Sequence, residues 1–368
     1  MTADLVPETR VLAVASHVVY GHVGNKMATL VMQSMGCDVA NLNTVHFSNH
    51  TGYRQFKGTR ATAEEIRNLY EGMCMNNLTD IDVMLSGYAP SAAAVEAVGY
   101  IGQDLQRKAA DRPGSFFWVL DPVMGDQGRL YVNDDVVPAY KNTIQHADLI
   151  LPNQFEAEVL SGIQITSLST LAQAITKIHS LYNIPHVIIT SVQLSKLLPS
   201  SENPSPSSTQ NLLTIIGSTT LSNGQPRLFR IDVPAIDCFF SGTGDMFAAL
   251  TVARLREAVF DDSNPELRNT KSWVSPDEVR PIDLPLAKAT EKVLASMHDV
   301  LERTIEARDR ELAATAAKAE TATGTEEELQ KKEHLRRTKA AEIRLVRNVK
   351  FLREPTVEFK AREWEGDY

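Results

Sequence analysis

Residues 237–245 read Asp-Cys-Phe-Phe-Ser-Gly-Thr-Gly-Asp, and Met246, Ala249, Leu250 and Ala253 follow them. The i, i+3, i+4, i+7 spacing of those four apolar residues lays one stripe along a helix. Gly242 and Gly244 therefore fall in the turn that opens it, where glycine lets the backbone approach a ligand closely. Unpaired N–H groups and the positive end of the helix dipole favour an anion there. The Gly242-Thr243-Gly244 turn reads as a cradle for a transferring phosphoryl group. Asp245 lies in the first helical turn beside it, placed to orient an acceptor hydroxyl and take its proton. A loose phosphoryl-transfer transition state asks little base strength of it. From these residues alone a second reading stays open, in which Asp245 only caps its helix and the glycines form an ordinary turn.

Working outward, short apolar runs alternate with amphipathic stretches. Val11–Ala15, Val39–Val45, Asp82–Ser86, Phe116–Leu120, Asp148–Leu151 and Val187–Ile189 read as strands. Helices are predicted over Asn25–Met35, from Thr62, over Ser91–Ala110, from Gln154 and over Ser169–Tyr182. Thr62 and Glu65 have the spacing of a capping box. The alternation predicts an α/β fold, a largely parallel central sheet with helices on both faces. In such sheets ligands bind beyond the carboxyl ends of the strands. Polar residues follow each run: Ser16-His17, Asn49 to Tyr53, Gly87-Tyr88, Asp121 to Asp126, Asn153 and Glu156, and Thr190-Ser191. Any one of them could be a helix cap or turn former. Six in order point to one site.

The chain has 368 residues and a net charge of −9, which disfavours nonspecific binding to a nucleic-acid backbone. No apolar run reaches the ~18 residues of a membrane helix, and Met1–Arg10 lacks the pattern of a signal peptide. Cys37, Cys74 and Cys238 show no paired spacing and read as reduced thiols of a cytosolic protein. Neither a G-x-x-x-x-G-K-[ST] loop nor a protein-kinase signature set is present. His17 and His22, or His46 and His50, have no third ligand to complete a zinc site. One domain is expected over residues 1–368, with inserts near 197–211, 258–285 and 306–340. The first is Ser/Pro-rich and the second a polar connection. The third, rich in Ala, Glu, Lys and Arg, reads as an exposed helix or floppy insert, its basic run Lys331–Lys339 a solvated face.

Gly242-Thr243-Gly244-Asp245 near the end of such a chain resembles the signature of the ribokinase-like superfamily. Within it the sequence is similar to the pyridoxal kinase family. Ser16-His17-Val18-Val19-Tyr20-Gly21-His22-Val23-Gly24-Asn25 and Phe47-Ser48-Asn49-His50-Thr51-Gly52-Tyr53 carry the resemblance most strongly. Gly87-Tyr88, Asp121 to Asp126, Pro152 to Glu158 and Ile189 to Ser191 continue it. The resemblance implies ATP-dependent phosphorylation of the 5′-hydroxymethyl group of pyridoxal, and of pyridoxine and pyridoxamine. It implies that Ser16 and Thr51 bond the pyridine ring's polar groups, that Val45, Phe47 and Tyr88 pack on the ring, and that Asp245 faces the 5′ group. Asp121, Asn153, Glu156, Thr190, Ser191 and the Gly242–Gly244 loop would hold ATP and Mg²⁺, with Glu156 acting on the metal through water. Ile236, Asp237 and Cys238 would line the adenine and ribose side. A monovalent cation, usually K⁺, would sit near Asp126 and Thr190. Leu151 stands where the family often has Thr, which removes a hydroxyl from that cation site. The loop Gln127-Gly128-Arg129 is short and would cover the nucleotide less fully. A homodimer and a cytoplasmic location, with the nucleus left open, complete what is implied. Two rivals remain: another alcohol substrate, such as a hydroxymethylpyrimidine or a sugar, and a non-catalytic vitamer carrier.

Overall fold

A computed structural model describes residues 6–192, 212–320 and 324–365. Strand β1 (Arg10–Val18) leads into helix α1 (Gly24–Ser34) and strand β2 (Asp38–Phe47). Then come β3 (Gly58–Arg60), α2 (Ala63–Met75), β4 (Val83–Ser86), α3 (Ala92–Lys108) and β5 (Phe117–Leu120). A small hairpin, β6 (Gly125–Asp126) and β7 (Arg129–Leu130), precedes α4 (Val136–Thr143) and β8 (Leu149–Ile150). Helices α5 (Gln154–Ser161) and α6 (Leu168–Tyr182) lead to β9 (His186–Val192). Strands β10 (Leu212–Thr220) and β11 (Pro226–Pro234) precede α7 (Thr243–Val259), α8 (Pro285–Glu320), α9 (Glu326–Ala340), α10 (Val349–Arg353) and β12 (Arg362–Glu363).

The main sheet runs β12-β11-β10-β9-β8-β5-β4-β1-β2-β3. Its six central strands, β9 to β2 in that order, are parallel neighbours. The edges are antiparallel: β3 on β2 at one side, β10, β11 and β12 beyond β9 at the other. The expected parallel sheet is thus the centre of the molecule. Of the edge pairs, β10 and β11 form a hairpin joined by the short turn Leu221–Gln225, where a parallel return would need a crossover.

Both faces of β9, β8, β5, β4 and β1 are covered, which is why they read as unbroken apolar runs, whereas β2, next to the edge strand, has half its residues exposed. Val11 and Ala13 pack toward α1, α7 and α8, while Leu12 and Val14 pack toward α2 to α6. Each such fully buried Val or Leu contributes about 1.5–3 kcal/mol. Trp118 of β5 is fully buried and donates from its indole nitrogen to Ser86 Oγ at 2.8 Å. Gly102 of α3 makes room for it: a Cβ there would lie 2.3 Å from the Trp118 ring. Thr62 and Glu65 form the expected capping box on α2.

The three expected inserts fare differently. Residues 197–211 lie outside the described residues. The 258–285 connection is a series of short 3₁₀ turns pinned by buried groups. Trp273 stacks on Phe117 at 4.1 Å, and Ser272 Oγ donates to Asp148 Oδ1 at 2.5 Å. The third segment forms the end of α8 and all of α9. In its described residues it is helical, and Lys331, Arg337 and Lys339 of the basic run are exposed as expected, while Arg336 turns inward. Arg336 donates to the Leu312 carbonyl and to Thr315 Oγ1 of α8, and α9 packs on the turn Thr51–Tyr53. Composition cannot distinguish a basic face turned to water from one turned to a partner helix. Among the described residues, no helix is long and apolar enough to cross a membrane.

Candidate active site

Because the six central strands are parallel, their carboxyl ends share one rim, and the polar residues predicted to follow them come together there. Ser16 sits where the β1–β2 register shifts, between Ala15 and Ser16. Gly24, at φ +53, packs against it: a Cβ at Gly24 would lie 2.0 Å from the Ser16 carbonyl oxygen. This is a close approach that only glycine makes. It brings the Gly24 N–H to the Asp245 carboxylate, to which it donates. On the other side, Gly242 caps α7 in the left-handed region, and a Cβ there would meet the His22 carbonyl at 2.4 Å. The loop after β1 and the phosphate loop are thereby packed together. Burial lifts the Asp245 carboxyl to about 6, against the pull of the Gly24 N–H. Its hydrogen bond comes from another loop, whereas a cap would bond its own helix.

Asp121, at the end of β5, is pushed well above the ordinary carboxylate range by burial, then by the charges of Glu156 and Asp245. A Cβ on Gly244 would stand 3.7 Å from Asp121 Oδ2, so the cradle faces this carboxylate. Glu156 is buried. Its Oε1 accepts from the Met124 and Gly125 N–H groups at 2.9 and 3.3 Å, and its Oε2 from Asn153 N–H at 2.9 Å. Burial raises it to about 7 despite those bonds. Asn153 completes the capping box of α5 and donates to the Gly125 carbonyl at 2.7 Å. Asp126 Oδ1 accepts from Gln127 N–H at 2.7 Å. Gln127 and Gly128, both at positive φ, form the tight β6–β7 turn, so the loop expected to be short is a two-residue hairpin. Thr190 and Ser191 lie near the end of β9, with the Thr190 N–H donating to the Pro152 carbonyl. Leu151 is buried in the core.

An apolar wall stands beside these charges. Val18, Val23, Val45 and Phe47 form one buried cluster with Tyr88 packed on it. Thr44 Oγ1 donates to the Tyr88 carbonyl at 2.7 Å and holds that residue in place. Thr51 is exposed at the start of its 3₁₀ turn. Ile236 packs against the core, Asp237 is exposed, and the Cys238 sulfur donates to the Phe239 carbonyl at 3.7 Å. A cleft of about 860 Å³ opens next to the phosphate loop, lined by His50, Thr51, Ser241, Arg308, Arg336 and Glu342 among others. Sequence reasoning assigned no role here to Arg308, His334, Arg336 or Glu342. They sit in a charged segment with no local pattern to mark the ones that turn inward.

Among the described residues, no group of three or more His, Cys, Asp or Glu side chains forms a ready metal cage. His17 and His46 instead meet ring to ring at 5.2 Å. The nearby carboxylates Asp121 and Glu156, with their proton affinities raised, still suit a divalent cation. Mg²⁺ characteristically takes one or two carboxylates and completes its shell with water and phosphate oxygens.

A parallel sheet whose rim carries a glycine anion cradle at a helix start, a carboxylate beside it and an apolar wall defines a small-molecule kinase of the ribokinase-like fold. The sequence matches the phosphomethylpyrimidine kinase family over residues 80–274. It is 34% identical to pyridoxal kinase of Homo sapiens over 308 residues, covering 81% of this chain and 86% of that one. To pyridoxal kinase of Ovis aries it is 35% identical over 306 residues, again covering 81% and 86%. Pyridoxal kinase of Leishmania donovani, solved in complex with ADP and pyridoxamine, superposes with a TM-score of 0.72 at 28% identity, covering 97% of this chain and 99% of that one. The chain belongs to the pyridoxal kinase family.

Proposed function

We propose that this chain transfers the γ-phosphoryl group of ATP to the 5′-hydroxymethyl group of pyridoxal, and also of pyridoxine and pyridoxamine. The observation that carries the reading is Asp245, lifted to about 6 and set between an anion cradle and an apolar wall. A flat, partly apolar ring with a few polar groups suits such a wall. Ser16 and Thr51 bond the ring's polar groups, while Val45, Phe47 and Tyr88 pack on its faces. Asp245 orients the 5′-hydroxyl and takes its proton. The N–H groups of Gly242, Thr243 and Gly244 face the phosphoryl oxygens. Asp121, Asn153, Thr190 and Ser191 hold the nucleotide phosphates, and Ile236, Asp237 and Cys238 line its adenine and ribose side. Asp121 would hold Mg²⁺ and Glu156, whose oxygens accept the Met124 and Asn153 N–H groups, would act on it through water. The ion would supply charge neutralisation between the phosphates.

The same reading takes the chain as one kinase domain acting as a homodimer, with K⁺ near Asp126 and Thr190. There the Leu151 side chain gives nothing, and of that residue only the backbone carbonyl is left to bind the cation. Incubation with ATP, Mg²⁺ and each vitamer, with and without K⁺, tests the assignment by the appearance of phosphorylated vitamer and ADP. No phosphorylated product from any vitamer would refute it. The match to the phosphomethylpyrimidine kinase family makes hydroxymethylpyrimidine the second alcohol to include. Preferential phosphorylation of that compound would reassign the substrate.

A further inference from the structure

The turn presenting Thr51 has little of its own to hold it. Thr51–Tyr53 is a single 3₁₀ turn, and Arg54 beyond it is left-handed. The rings flanking Thr51 both reach one carboxylate. Tyr53 Oη donates to Glu342 Oε1 at 2.9 Å, and His50 Nε2 lies 3.1 Å from the same oxygen. Between them, His334 Nε2 donates to the Gly52 carbonyl at 2.9 Å. The other Glu342 oxygen lies against the loop after β1, where a Cβ on Gly21 would be 2.7 Å from Oε2. Glu342 is itself well seated. Ile343 and Leu345 are buried, and Arg344 N–H donates to Thr304 Oγ1 of α8 at 3.1 Å. Burial works against its charge, but the His50 and Tyr53 hydrogen bonds prevail and hold the carboxyl below its usual range.

We propose that Glu342 is a positioning residue for the vitamer pocket, fixing through His50 and Tyr53 the turn that presents Thr51. The inference rests on the vitamer-kinase reading and deepens it. A carboxylate only accepts, so His50 Nε2 is the donor to Glu342 Oε1. Nδ1 is buried and has no partner among the described residues. A Cβ on Gly52 would lie 2.8 Å from Nδ1 and 3.1 Å from Ser241 Oγ, so the two atoms flank one point.

Steady-state kinetics of Glu342→Ala and Glu342→Gln, with pyridoxal and ATP each varied, test this. Loss of charged hydrogen bonds should raise KM for pyridoxal about tenfold or more in Glu342→Ala. KM for ATP and the melting temperature should hardly move. Glu342→Gln keeps an acceptor oxygen and should recover most of the loss. In a His50→Gln/Tyr53→Phe background, adding Glu342→Ala should cost little more. Parallel rises in both KM values with a lowered melting temperature would reduce Glu342 to a structural role and overturn the proposal, as would an unchanged KM for pyridoxal. If Glu342→Ala does not fold, the His50→Gln/Tyr53→Phe protein is read by the same KM split. A wild-type chain that phosphorylates no vitamer would overturn the functional reading and this inference with it. An active wild type with an unaffected Glu342→Ala would overturn the inference alone.

Discussion

Replacing Asp245 by Asn leaves the shape of the site and removes the proton acceptor. The amide oxygen can still accept from Gly24 N–H, which holds the carboxylate in the native protein. General-base catalysis of this kind is worth about 10²–10⁴-fold, or about 2.7–5.5 kcal/mol of transition-state stabilisation. The ionised fraction follows from the Asp245 pKa of about 6. The carboxylate is the working form, so it is about nine-tenths populated at pH 7 and about one-tenth at pH 5. Wild-type kcat/KM, measured with both substrates below their KM, should therefore fall about tenfold from pH 7 to pH 5. Asp245→Asn should lack that limb and bind pyridoxal within about threefold of wild type, as followed by titration calorimetry. A variant that loses turnover and vitamer affinity equally would refute the reasoning and restore the capping role. So would a variant that keeps the acid limb.

Gly24→Ala should lower kcat sharply: a left-handed alanine costs about 1–2 kcal/mol, and its Cβ would displace Ser16 and the Gly24 N–H bound to Asp245. Full activity in that variant would contradict the packing described. Gly102→Ala should lower stability by about 1–3 kcal/mol by overpacking against Trp118, read as a lower urea midpoint, with KM values unchanged. Burial lifts Asp148 to about 6 even though Ser272 and Trp118 donate to it. Its folded pKa exceeds the unfolded value, so its contribution is fully present below about pH 4 and is lost as pH rises through about 6. Asp148→Asn should gain on wild type by up to about 3 kcal/mol between pH 4 and pH 7. A pH-independent difference would contradict this.

The parts of the molecule that could be read from the sequence are those whose causes are local. Val11–Ala15 and Val187–Ile189 announce central strands because both their faces are covered. Thr62 with Glu65 announces a helix start because the capping box closes within four residues. The antiparallel edge could not be read from strand–helix alternation, because β10–β11 is a hairpin and β12 pairs through only two residues. In the site, the phosphate loop and the rim residues were legible because each follows its own strand. Glu342 was not. It is one acid among many in a charged stretch, and its role is set by partners 289 and 292 residues away.

That separation has a consequence for synthesis. His50 and Tyr53 leave the ribosome long before Glu342, with 292 residues between His50 and its partner. At translation rates of about 5–20 residues per second, the interval is about 15–60 s. Throughout it the β1–β2 unit can pair while the turn bearing Thr51 has no clamp. The pocket closes as one of the last events of chain assembly, and loop-closure entropy over so long a span makes it among the slowest contacts to form. A nascent chain that stops short of α9 would thus hold a formed phosphate loop and an unfinished vitamer pocket.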